Sequence, residues 1–327
     1  MINYTIFPKI KHVKAEKSMF DVVAVGEILI DMISTGKDVS LFDAPSYVPL
    51  PGGAPANVAI GVKRLGKSSA FIGKVGRDGF GVGLRKLLQA EGVDVRGLFD
   101  DNEHYTTLAF VVLSSMGVPD FDFFVGAHAY LQISDLNTTL LREARIVHGG
   151  SVMFTQEPAR SATFEAWNIA HEAGAICSYD VNWRPRLWPD VAEGVRIITQ
   201  PLHMVDIVKM NADELILLTG QEDLRAGLQV LETTASLVVV TQGARGCLYR
   251  FQDAIYEQPA PLASQVIDTT GAGDALMAAL LASLPDHPSR LNVQTVASIV
   301  ERASRAGTHS VARAGAIPSL PYIHELP

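Results

Sequence analysis

The stretch Asp268-Thr269-Thr270-Gly271-Ala272-Gly273-Asp274 has the residue types to cradle an anion. Gly271 and Gly273 let the backbone turn with successive N–H groups outward, and the apolar run Ala275 to Leu281 reads as a buried helix whose positive end faces the same spot. A carboxylate beside such a cradle would repel the anion. Asp274 is therefore expected to handle a proton on an incoming hydroxyl, the chemistry of phosphoryl transfer. A glycine-rich turn with Asp as a simple helix cap fits the same string. A dinucleotide fingerprint does not, because Leu276 stands where its third Gly belongs, and a P-loop would need Gly-Lys-Ser/Thr.

Five other places gather polar groups. Pro51 to Asn57 leads into a helix closed by Gly66; Gly52 and Gly53 would let a polar ligand approach the main chain, and Asn57 would bond it or cap the helix. Asp31 follows the apolar strand Val22 to Gly26, either at the ligand-binding end of a sheet or as a solvated turn residue. Asp180-Val181-Asn182-Trp183-Arg184-Pro185 collects a carboxylate, an amide and a guanidinium after a strand, which suits a polyol. Asn211-Ala212-Asp213-Glu214 opens a helix, as a cap or as a metal-handling pair, and Thr241, Gly243 and Gly246 form a strand-to-glycine turn against which a nucleotide could lie.

The elements that must hold these groups alternate as β and α. Buried strands are expected at 70–73, 146–149, 175–179, 206–209 and 237–241, with helices over 83–91 and 159–173 between them. Residues 293–312 read as a helix or a helix pair broken near Gly307. The rhythm breaks at 34–50 and 104–127, where short strands suggest a small β lid, and residues 1–18 are an aperiodic extension with no assigned role. His148, inside an apolar strand, reads as a core histidine. With 327 residues, 48% hydrophobic and a net charge of −8, the chain can bury a large core and is not suited to nucleic acid or an anionic membrane. Cys177 and Cys247 read as buried free thiols, and the absence of a membrane span or signal segment points to the cytoplasm.

Taken together, Pro51 to Asn57, Ile72-Gly-Lys-Val-Gly-Arg-Asp-Gly-Phe-Gly81, Asn211 to Glu214, Val240 to Gly246 and Asp268 to Asp274 make the chain similar to the ribokinase-like (PfkB) carbohydrate kinases from about Phe20 to Pro318. The resemblance implies an α/β fold, a Rossmann-like parallel sheet flanked by helices over residues 19–327, with the β lid often pairing two subunits into a homodimer. It implies that Asp274 is the base and that Gly271, Ala272 and Gly273 form the anion hole. Asp31, Gly52, Gly53, Asn57 and Arg184 would hold the sugar, while Asn211 and Glu214 organise Mg²⁺ through water. Thr241, Gly243, Gly246, Ser304 and Gly307 would border ATP, and Asp268 with Thr270 a K⁺ site. Trp183 to Pro189 is most similar to fructokinases and 2-keto-3-deoxygluconate kinases, whereas Val125 and Tyr130 replace an Arg and an Asp usual in fructokinase-like pockets. The expected activity is ATP-dependent phosphorylation of a primary sugar hydroxyl, fructose first. A ribokinase or nucleoside kinase, and an inactive sugar-binding relative, are the alternatives.

Overall fold

The computed structural model describes residues 19–113, 119–285 and 291–326. The first half runs β1 (Phe20–Val25), β2 (Leu29–Lys37), β3 (Tyr47–Gly52), α1 (Ala54–Arg64), β4 (Ser69–Gly76), α2 (Gly79–Ala90), β5 (Asp94–Asp101), β6 (Leu108–Leu113), β7 (Pro119–Phe124), α3 (Thr138–Glu143) and β8 (Ala144–Gly150). It continues with α4 (Ala159–Glu172), β9 (Ile176–Asp180), α5 (Val191–Ile198), β10 (Ile207–Asn211), α6 (Ala212–Thr219), α7 (Leu224–Val230), β11 (Leu237–Thr241), β12 (Cys247–Phe251) and β13 (Ala254–Gln258). Three helices close the chain: α8 (Ala272–Ser283), α9 (Val293–Ser310) and α10 (Ala316–Ser319).

Nine strands make one sheet in the order β13-β12-β11-β10-β9-β8-β1-β4-β5, parallel from β11 to β5 and antiparallel over β11-β12-β13. Strands of one face alternate with the other: Val22 and Ile146 pack under α1, α8 and α9, while Val23 and Val147 pack against α3 and α4. The chain leaves β1 for β4 on one side and comes back to β8 on the other, so a crevice opens at the carboxyl ends of β1 and β8. Cys177 and Cys247 are free and buried, and His148 lies in the core with its Nδ1 3.0 Å from Ser178 Oγ.

Four further strands form a separate sheet, β3-β2-β6-β7. It begins at Leu29 rather than near residue 34, so Asp31 sits inside β2 and not at the end of β1, because Gly26, Glu27 and Ile28 break the first strand. Residues 1–18 and the middle of the β6–β7 connection, 114–118, lie outside the described residues. The expected break near Gly307 is absent. The helix α9 runs unbroken from Val293 to Ser310, and Gly307 is there for packing, since a Cβ on it would come within 3.2 Å of the Ala272 carbonyl oxygen. Among the described residues no helix is long and apolar enough to cross a membrane.

The two helices that open onto the crevice, α1 and α8, pack through small residues: a Cβ on Gly61 would lie 2.6 Å from the Ala278 Cβ. Gly61→Ala should therefore push the helices apart and lower stability by about 1–3 kcal/mol. The double substitution with Ala278→Gly should recover most of that loss in a thermal melt.

Candidate active site

Two helix N-termini meet at the crevice. At α1, Gly53 takes φ 107°, a conformation that L side chains avoid, and a Cβ there would run into the Glu27 carbonyl oxygen at 2.6 Å. This turn places Asn57 in the first turn of the helix, its N–H donating to the Gly53 carbonyl at 2.9 Å, and sends its Nδ2 to Asp274 Oδ2 at 2.8 Å. Gly52 leaves room for the Asp31 carboxylate, which occupies the space a Cβ would need.

At α8, Gly271 is left-handed at φ 81° and, among the described residues, no side chain caps the helix. The Ala272 N–H is taken by the Thr269 carbonyl at 3.2 Å, which leaves the N–H groups of Gly273 and Asp274 without a helical partner. Beneath this turn stands Lys209. Its Nζ would be 2.7 Å from a Cβ on Gly273, and it bonds both oxygens of Asp180 at 2.9 and 3.1 Å. Uncapped N–H groups, a helix dipole and a buried ammonium together make a site for a polyanion. Glu214 flanks it: its Oε1 accepts from the Trp183 N–H and its Oε2 from the Asn211 N–H, each at 2.7 Å, while Asn211 Oδ1 caps α6 by accepting from the Glu214 N–H. The left-handed Asn182, φ 38°, turns the chain so that Trp183 reaches Glu214.

Burial raises three carboxyls here: Asp274 to about 6, Asp31 to about 7 and Glu27 to about 8. The Arg184 guanidinium opposes the rise at all three, and Asp274 adds to it at Asp31 and Glu27, so the four groups share one electrostatic environment. Burial works against the Lys209 ammonium, but Asp180, Glu214 and Asp274 outweigh it and hold the group above the usual lysine value.

The structure thus brings together Asp31, Gly52, Gly53, Asn57, Arg184, Gly271, Gly273 and Asp274. Asn211 and Glu214 stand one strand away at the end of β10, and Thr241 pairs with Asn211 at the end of β11, followed by the turn Gly243–Gly246. Ser304 is buried on α9, and Asp268 ties the loop before α8 to Gly315 by accepting from the N–H groups of Thr270 and Gly315, both at 2.8 Å. Tyr130 stacks on His104 with ring centroids 3.4 Å apart, and its carbonyl accepts from Lys74 on β4. Glu27 and Lys209 were not singled out by sequence, although a charge inside the apolar string Ile207-Val208-Lys209-Met210 is a usable sign, since a buried ammonium needs partners.

The chain matches the pfkB family carbohydrate kinase profile over residues 19–323. It is 42% identical over 305 residues to fructokinase-1 of Oryza sativa subsp. japonica, covering 92% of this chain and 94% of that protein. Its structure is similar to that of fructokinase from Vibrio cholerae O395 in its fructose-, ADP- and calcium-bound form, with a TM-score of 0.84, 33% identity and coverage of 95% of this chain and 100% of the other. Aminoimidazole riboside kinase from Salmonella enterica, complexed with aminoimidazole riboside and an ATP analogue, gives a TM-score of 0.78 at 30% identity over 93% of this chain and 97% of the other.

A carboxyl raised from 3.8 to about 6 costs stability increasingly as pH climbs between those values, because the unfolded chain releases its proton first. Asp274→Asn should therefore raise the melting temperature near pH 8, by the equivalent of about 1–3 kcal/mol, and change it little near pH 4, where the native carboxyl is already neutral. Thermal melts of both proteins across that range check the sign.

Proposed function

The chain belongs to the pfkB family of carbohydrate kinases, and on that premise we propose that it transfers the γ-phosphate of ATP to a primary hydroxyl of fructose. The observation that carries the reading is Asp274, a raised carboxyl bonded to Asn57 at an uncapped helix N-terminus over Lys209. A base whose proton affinity lies near neutrality can take a hydroxyl proton and give it up again in each cycle. The N–H groups of Gly273 and Asp274, with the Lys209 charge beneath, lower the energy of the phosphoryl group in flight. Arg184, Asp31, Gly53 and Asn57 orient the sugar so that one hydroxyl points at Asp274.

Glu214 and Asn211 fit a hydrated Mg²⁺: each Glu214 oxygen accepts one backbone N–H and keeps a lone pair, and Asn211 is exposed at the strand end. The ion supplies charge neutralisation of the triphosphate when bound. Asp268 and Thr270 border a loop offered here as the K⁺ site, and Thr241, Gly243, Gly246, Ser304 and Gly307 as the ATP side. The sheet β3-β2-β6-β7 acts as a lid. Its contacts with the body are consistent with closure: the Arg184 guanidinium lies 5.6 Å from the Phe121 ring centroid and Arg186 pairs with Asp122 at 3.0 Å. The face of this sheet that carries Phe110 has exposed Phe124 on it, with Tyr47 and Phe124 both edge-on to Phe110, and pairing two lids into a homodimer would cover them. The free thiols Cys177 and Cys247 suit the cytoplasm.

Asp274→Asn should lower kcat by about 10²-fold or more with ATP affinity little changed, read by ADP release. The same assay run with fructose, ribose, tagatose, 2-keto-3-deoxygluconate, adenosine and inosine at equal concentration should give fructose the highest kcat/KM. A nucleoside preference would move the substrate class to the ribosides. No turnover with any of them, with ATP still bound, would leave a sugar-binding protein.

A further inference from the structure

Glu27 takes no part in the chemistry above, yet it is built into the same turn. It is 3% exposed at the end of β1, and its Oε1 accepts from the N–H of Ala54, the first residue of α1, at 3.1 Å. The chain of contacts goes on from there: the Gly53 carbonyl accepts from the Asn57 N–H at 2.9 Å, and Asn57 Nδ2 donates to Asp274 Oδ2 at 2.8 Å. Along this path two polar atoms, Glu27 Oε2 and Asn57 Oδ1, are buried and receive no hydrogen bond from the described residues. Both are acceptors whenever Glu27 is ionised, so this one turn of protein holds two buried acceptors and lacks a donor. A proton on Oε2 makes that atom a donor and leaves one unmet acceptor fewer in the turn.

We propose that Glu27 is a positioning residue for Asp274: as a neutral carboxylic acid it fixes the first turn of α1 and, through Asn57, holds the Asp274 carboxylate in place over the crevice. The inference rests on Asp274 being the base. Its surroundings agree with a held proton. Burial is the main influence, Asp274 on α8 is the facing anion and Arg184 after β9 the facing cation, and Asp31 on β2 lies in the field of the same two groups; the Glu27 proton is retained up to about pH 8. Above that pH a second negative charge would appear behind Asn57, and Asp274 would lose its fixed geometry.

Infrared difference spectra of the wild type against Glu27→Gln near pH 7 test the proton directly. The expected result is a protonated-carboxyl carbonyl band in the wild type that is missing in the variant and fades as the pH is raised through about 8. In kinetics, Glu27→Ala should lose about tenfold or more in kcat, whereas Glu27→Gln, which keeps a donor, should lose only about twofold to fivefold. The fall in wild-type kcat above about pH 8 should be absent in Glu27→Gln. A wild type with no such band overturns the proposal. So does a Glu27→Gln protein that fails to fold, that is as impaired as Glu27→Ala, or that keeps the alkaline fall. The infrared result stands whatever Asp274→Asn does to turnover, so a failed base assignment and a failed Glu27 assignment give different data.

Discussion

One hydrogen bond spans 217 residues of sequence, from Asn57 to Asp274, and the rest of the molecule is arranged so that it can form. It joins the first turns of two helices, and both helices have to reach the carboxyl ends of the same strands. That demand explains the smallness of α1 and α8 where they touch, and the all-round apolar character of α8, which is enclosed by the sheet, α1 and α9. It also explains the positive φ of Gly53 and Gly271: each turns the chain sharply into its helix, and the Gly271 turn leaves the N–H groups of Gly273 and Asp274 free at the crevice.

Bringing two helix ends together concentrates charge in a place with little water. Lys209, Asp180, Glu214, Asp274, Asp31, Glu27 and Arg184 all lie near the strand ends, and few of them would be stable there alone. Lys209 with Asp180 is the firmest pair, because the ammonium meets both carboxylate oxygens and the strands β9 and β10 that carry them are hydrogen-bonded neighbours. The acids that stay raised are the ones without such a pair. Their discomfort is what suits the site to chemistry: a carboxyl kept close to neutral proton affinity can exchange a proton at ordinary pH, which a salt-bridged surface Asp cannot do.

Much of this could be seen in the residues alone, for definite reasons. Strands buried on both faces are continuous apolar runs, and glycines around Asn57 and Asp274 announce turns that only glycine makes easily. What escaped the reading was set by three-dimensional neighbours. Asp31 follows an apolar stretch that looks like one strand, and only the kink at Gly26–Ile28 puts it in a second sheet. Gly307 has the look of a helix breaker, but α8 lies so close that a Cβ there would sit tightly, 3.2 Å from the Ala272 carbonyl oxygen. Glu27 has no distinguishing neighbour in sequence; its importance comes from Ala54, which a different element brings to it.

The second sheet is attached to the body by very short leads. Only Gly26, Glu27 and Ile28 separate β1 from β2, and only Gly53 separates β3 from α1. Gly53 accepts from the Asn57 N–H, and Asn57 reaches Asp274, while Gly52, the last residue of β3, lies against Asp31. On the function proposed here, the joint between lid and body and the binding site are therefore one object. A substitution that reshapes the sugar pocket along these leads also changes the stiffness of the joint, and a change in the joint alters the pocket.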